Sequence, residues 1–268
     1  MRPALYIFFL LFCSALFSQT AVTDDGRKIM LFSNKTWEPA SEELGKFSTL
    51  EAYTAGDQKV IISSEHTWKF KNKETESLYE NTVINKKKFT AAKAASSLAH
   101  SKRVDAGFYY DPKKWIILEE QPQSHLGEIL LQGFANKELY ASFGSSELDE
   151  GTTLRNLKDQ LLTDFLMNPS YYKIKKTELR TVNGIEMFYI MFYAKKSGEV
   201  VLQNYFIPDT RYFSVISARI PEKKFASYEK DMQDFINGMV AIKTEKYVER
   251  INVQAPAPPP PLTTEKSR

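Results

Sequence analysis

Two ten-residue runs rich in branched and aromatic side chains, KIKKTELRTV (173–182) and IEMFYIMFYA (185–194), are separated by nothing except Asn183-Gly184. That dipeptide supplies the two positive-φ positions of a type I′ turn, whose twist matches that of paired strands, so the stretch is committed to an antiparallel hairpin. Ser197-Gly198 then turns into EVVLQNYFI and Pro208-Asp209 into RYFSVISARI, which lengthens the hairpin into a four-strand meander. Helical spacing flanks it. Upstream, Thr152 or Thr153 can cap a helix whose Leu154, Leu157, Leu161, Leu162, Phe165 and Leu166 share one stripe, and Pro169 ends it. Downstream, Pro221 precedes a helix carrying Phe225, Tyr228, Met232, Phe235, Ile236 and Met239. Three shorter strands are expected before the first helix, in AGFYYDPKKWIILEE (106–120), EILLQGF (128–134) and ELYASFG (138–144). Helices on either side of a meander can each cover one sheet face, so the fold class is α+β: an antiparallel meander with covering helices over 105–243.

The chain says something twice nearer its start. KIMLFSNKTW (28–37) and KVIISSEHTW (59–68) share Lys, Ser, Thr and Trp at equivalent places. Each reads as strand, turn, strand, with the Trp folding back over the aliphatic arm. A lone two-stranded hairpin is marginal in water. Two copies can cover each other, which predicts a small β module over 19–74 built from two hairpin repeats in contact through Trp37 and Trp68.

Between these regions, 75–104 is basic and Ala-rich. FTAAKAASSLA (89–99) lacks Gly and Pro and is expected to be a helical linker. Lys69, Lys71, Lys73, Lys86, Lys87, Lys88, Lys93, Lys102 and Arg103 outnumber Glu74, Glu76 and Glu80 across 69–103, and the reading preferred for them is a solvated surface over an anion- or membrane-binding patch.

The ends set the compartment. MRPALYIFFLLFCSALFSQTA has one Arg, an apolar run and then small polar residues, the pattern of a secretory signal peptide over 1–18. Its apolar run is shorter than the roughly 20 residues of a spanning helix, so no transmembrane anchor is expected after cleavage. Phe12 before Cys13 argues against lipidation. Cys13 is the only cysteine, so the mature chain would hold no disulfide and no thiol chemistry. VQAPAPPPPLTTEKSR cannot bury a core and predicts a disordered tail over 244–268. A net charge of +3 on 268 residues implies no strong global field, and export makes nucleic acid an unsuitable partner.

Two resemblances follow from particular residues. The repeat resembles the Lys-aliphatic-Asp-Gly-Thr-Trp segments near the mature N-termini of Bacteroidetes-type envelope proteins, with Asn34-Lys35 and Glu65-His66 standing at the turn. The broken opening strand YDPKKW (110–115), the VNG turn (182–184) and IPEKKF (220–225) before the last helix resemble the PsbP-like fold over about 104–243. That family includes an extrinsic subunit of photosystem II and a Ran-binding nuclear-transport factor of similar fold. The resemblance implies an α/β/α sandwich and a non-enzymatic accessory role, and it brings no catalytic residues.

No motif for metal, phosphate or nucleophilic chemistry is present. His66, His100 and His125 lie apart, in an expected turn, helix end and loop. Glu119 and Glu120 point to opposite faces of a strand, while Asp149 and Glu150 precede a helix, where negative charge suits the dipole. The expected catalytic, cofactor and metal sets are therefore empty. The chain is expected to be a secreted or periplasmic docking protein whose partner is another envelope protein. The alternative is a carrier holding a small apolar ligand against Tyr189, Met191 and Tyr193 of the MFYIMFY strand (187–193).

Overall fold

The computed structural model describes residues 18–41, 44–55, 57–118 and 127–242. All of the expected leader except Ser18, and all of the expected tail, lie outside them.

The N-terminal strands are β1 (Ser18–Thr23), β2 (Lys28–Phe32), β3 (Trp37–Pro39), β4 (Thr49–Thr54), β5 (Lys59–Ser63) and β6 (Trp68–Phe70). They form one antiparallel sheet in the order β3-β2-β1-β4-β5-β6. Each unit therefore has three strands where the sequence predicts a two-stranded hairpin. The added strands, SQTAVT and TLEAYT, share Ala21 with Ala52 and Thr23 with Thr54, so the repeat begins upstream of the two matched ten-residue runs. Their backbones also match: Gly26 N–H donates to Thr23 O at 2.8 Å and Asp57 N–H to Thr54 O at 2.9 Å, while Phe32 N–H donates to Thr36 O at 2.9 Å and Ser63 N–H to Thr67 O at 2.8 Å. An antiparallel bridge between Thr36 and Thr67 joins the two outer ends of the sheet.

Helix α1 (Lys73–Glu80) follows, its first turn capped by Asn72 Oδ1. Then come β7 (Val83–Phe89), β8 (Ser97–His100), β9 (Ala106–Tyr110), β10 (Trp115–Ile117), β11 (Ile129–Gly133) and β12 (Tyr140–Glu147). The helical linker expected over 75–104 is thus corrected: beyond Glu80 this segment is two strands joined by a loop. An Ala-rich stretch this short is marginal as an isolated helix. It has no apolar stripe to dock, whereas β13 (Tyr172–Val182) and β9 offer open backbone edges that β7 and β8 pair with.

Helix α2 (Leu154–Met167) has a capping box made by Thr153 and Asn156. The meander is β13, β14 (Ile185–Ala194), β15 (Glu199–Phe206) and β16 (Tyr212–Pro221), followed by α3 (Glu222–Ile236) and β17 (Met239–Ala241). Asn183 (φ 49°) and Gly184 (φ 84°) make the tight turn between β13 and β14. The large sheet runs β10-β11-β12-β16-β15-β14-β13-β7, antiparallel except for the last pair, and β17-β9-β8 forms a third, small sheet.

Strand alternation divides the interior between the two faces of the large sheet. On one face Met187, Tyr189, Leu202 and Ile216 pack with Met232, Phe235 and Ile236 of α3 and with Phe108 of the small sheet. On the other, Phe188, Ile190, Phe192 and Val201 pack with Leu161, Leu162 and Phe165 of α2 and with Ile29, Trp37, Val60 and Trp68 of the N-terminal sheet. The molecule is an α+β protein of three sheets and three helices among the described residues.

Candidate functional site

Trp37 and Trp68 close the N-terminal sheet reciprocally. The Trp37 indole N–H donates to Ser63 O at 2.9 Å, and that of Trp68 donates to Phe32 O at 2.9 Å, so each copy's Trp satisfies the other copy's turn. Their backbone N–H groups repeat the exchange, Trp37 with His66 O at 3.0 Å and Trp68 with Lys35 O at 2.9 Å. The turn residues Lys35 and His66 hold φ of 66° and 58°. Lys35 Nζ enters a cage of Trp68, Phe70 and Tyr79 rings at 4.2, 4.4 and 4.1 Å from the centroids and meets Glu76 at 2.9 Å. Burial pulls the lysine's pKa down against the raising pull of Glu76. His66 instead stacks on Trp37, 4.9 Å between centroids.

Tyr189 is buried at 1 % exposure beneath α3, while Met191 and Tyr193 are half-buried against the same core. The structure therefore brings these three residues to one face but covers Tyr189 with protein. The Tyr189 hydroxyl accepts from Gln233 Nε2 at 2.9 Å, and burial pushes its pKa up to about 12. The Arg180 guanidinium lies 3.9 Å from the Tyr189 ring centroid and 4.8 Å from that of Phe89. It donates to Asn204 Oδ1 at 2.7 and 3.2 Å, and Asn204 Nδ2 donates to Ile236 O at 2.7 Å. The buried cation is thus linked through one amide to the negative end of α3, and desolvation lowers its pKa to about 10. Sequence reading missed this network because Arg180, Asn204 and Gln233 lie on three separated elements. The same holds for Glu128, whose carboxylate accepts from Ser101 Oγ at 2.6 Å, from Lys102 N–H at 3.2 Å and from Ser145 Oγ.

The other candidate groups do not converge. His100 sits on a strand, not a helix end, with Nδ1 3.3 Å from Ser101 O. Asp149 and Glu150 lie in the turn before α2. Glu119, Glu120 and His125 fall outside the described residues. Among the described residues no three His, Cys, Asp or Glu side chains are grouped to hold a metal, and no helix is long and apolar enough to cross a membrane.

A different feature stands out on the α2 side of the large sheet. Register places Ile116, Gln132, Tyr140, Arg219, Val201, Phe192 and Ile174 in one row across it. At one end the row is roofed: Phe192 and Val201 are 1 % exposed, with the Phe165 ring of α2 4.6 Å from that of Phe192. Among the described residues, exposure on this face rises beyond Val201. Ile116 is 37 % exposed and Phe134, in the bend just after β11, is 63 % exposed. Tyr140 is half-buried, receiving Gln132 Nε2 at 3.1 Å and facing the Arg219 guanidinium at 5.1 Å, while Arg219 pairs with Glu199 at 3.1 Å. Among the described residues this end of the face is therefore partly open, carrying aromatic, aliphatic, amide and guanidinium groups.

No family model and no curated protein matches the chain. Among solved structures it is similar to the solution structure of cyanobacterial PsbP (CyanoP) from Synechocystis sp. PCC 6803, with a TM-score of 0.44 and 12 % identity over 56 % of this chain and 94 % of that one. A crystal structure from Bacteroides thetaiotaomicron VPI-5482 matches with a TM-score of 0.30 and 14 % identity, over 52 % of this chain and 46 % of the other.

Proposed function

We propose that this protein is an exported, non-enzymatic accessory subunit of a bacterial envelope, PsbP-like over residues 104–243, which docks onto another protein. The observation that carries the reading is the partly open end of the α2-side sheet face among the described residues, with Ile116 and Phe134 exposed. Phe134, Tyr140 and Arg219 are residue types enriched where proteins meet; Ile116, Tyr140 and Arg219 are held on paired strands, and Phe134 stands in the bend beside them. Phe134 is the expected anchor, because it is the most exposed aromatic here and aromatics dominate binding at such surfaces. The leader-like start and the Trp repeat, with its resemblance to Bacteroidetes-type envelope segments, support export and an envelope setting.

The test is a photo-crosslinking amino acid placed at Phe134, and separately at Tyr171, an exposed aromatic elsewhere that is 46 % accessible, in cells that make the protein. A discrete protein adduct at 134 that is absent at 171 and lost with Ile116→Lys is expected. Equal labelling at both positions, or none at 134, overturns the docking role of this face.

A further inference from the structure

The opposite edge of the large sheet has different chemistry. β7 is its last strand, and the first half of β13 runs past the start of β7 because their pairing begins only at Glu178 with Val83. Along this open edge stand Lys173, Lys175 and Lys176, then Val83 and Ile84, then Lys86, Lys87 and Lys88, all of them exposed. Val83 and Ile84 are 60 % and 66 % accessible, and Leu78 on α1 just before them is 39 % accessible. The carboxylates facing this edge are already engaged or few. Glu178 is buried and held by Lys176 and by Asn85 Nδ2 at 3.0 Å, which leaves Glu80 as the nearest exposed acid on α1.

Lysines on an edge strand commonly serve to prevent strand addition, and the register shift between Asn85 and Lys88 does the same here. Neither function accounts for two adjacent, largely exposed aliphatic residues set between the lysine groups. Three consecutive lysines also alternate in direction along a strand, so a rigid partner would not pair all three, whereas mobile lipid headgroups can. We infer that this edge binds the surface of an anionic phospholipid membrane, with Val83 and Ile84 entering the headgroup boundary and the flanking lysines neutralising the lipid charge. It is peripheral contact without a spanning element, and it does not depend on the docking reading of the other half of the sheet.

The experiment is vesicle flotation of the purified full chain lacking its leader. It compares phosphatidylcholine vesicles with vesicles of phosphatidylcholine and phosphatidylglycerol, at low and high salt. Binding is expected only to the phosphatidylglycerol vesicles, with release at high salt. The triple variant Lys86→Glu, Lys87→Glu, Lys88→Glu is expected to lower partitioning by at least about tenfold. Val83→Ser with Ile84→Ser is expected to weaken binding while leaving its salt dependence. Circular dichroism melts identify any variant that fails to fold; for such a variant, single Lys→Gln changes replace it. Binding that ignores lipid charge, or absence of binding by the folded wild-type chain, overturns the inference. So does retention on immobilised polyglutamate without vesicle binding, which would point to an acidic protein. A positive crosslink at Phe134 would survive any of these outcomes.

Discussion

Asp164 shows how a single side chain ties two parts of this molecule together at a cost. It lies on α2 facing the N-terminal sheet, where Gln19 Nε2 donates to its Oδ1 at 3.3 Å, and desolvation raises its pKa from 3.8 to about 6 despite that bond. A carboxyl raised in the folded state binds more protons there than in the unfolded chain between those two values. Stability therefore falls as pH rises from about 4 to about 6 and stays lower above. The upper limit is about 3 kcal/mol, reduced to about 1–2 kcal/mol by the solvent that still reaches part of the residue. Asp164→Asn keeps an acceptor for Gln19 and removes the charge. Its melting temperature should exceed that of the wild type at neutral pH and converge on it near pH 4, as differential scanning fluorimetry across pH would measure. A constant difference, or none, would show that the carboxylate is solvated.

At the scale of elements, the reciprocal indole bonds make the two N-terminal units one structure. Trp37→Phe or Trp68→Phe removes the indole donor from a turn carbonyl that keeps only the N–H of His66 or Lys35, at a cost of about 1 kcal/mol each. Both variants loosen the same closure, so the double variant should lose less than the sum, as urea unfolding would measure. Strict additivity would mean that the two bonds act independently. The Trp, the polar turn and the aliphatic arm of each unit were legible in the sequence because local pattern encodes them, as were α2, the meander from Tyr172 to Pro221 and α3 as far as Ile236; Met239, expected on the same helix, instead begins β17. β1 and β4 were not legible, since their alternation is weak and their role is to join the copies. The loss of the expected linker helix has a related cause: Val83–Phe89 is drawn into a sheet by the vacant edge of β13, a tertiary effect that composition does not report. The partly open end of the α2-side face was hidden for the same reason. Ile116 and Phe192 alternate alike along their strands, and which of them is roofed depends on where α2 ends.

For the whole molecule, the plan of a separate β module followed by a sandwich meets a shared interior. Trp37, Val60 and Trp68 belong to the same buried cluster as Leu161, Phe165, Phe188 and Phe192, and Thr54 Oγ1 donates to Met167 O at 3.3 Å across the junction. Separating the parts would expose both sides of that cluster, and at roughly 25 cal/mol per Å² of apolar surface this opposes independent unfolding. The two parts should therefore melt together. Trp115→Phe removes the one Trp outside the N-terminal sheet, so fluorescence then reports that sheet while far-UV circular dichroism reports all three. Coincident denaturation curves are expected, and Leu161→Ala on α2 should shift both midpoints equally by a loss of about 2–5 kcal/mol. A fluorescence transition left in place by Leu161→Ala would establish two folding units. Docking at the partly open end of the α2-side face would then have no means of stabilising the N-terminal sheet, whereas in a single cooperative unit partner binding raises the stability of every layer at once.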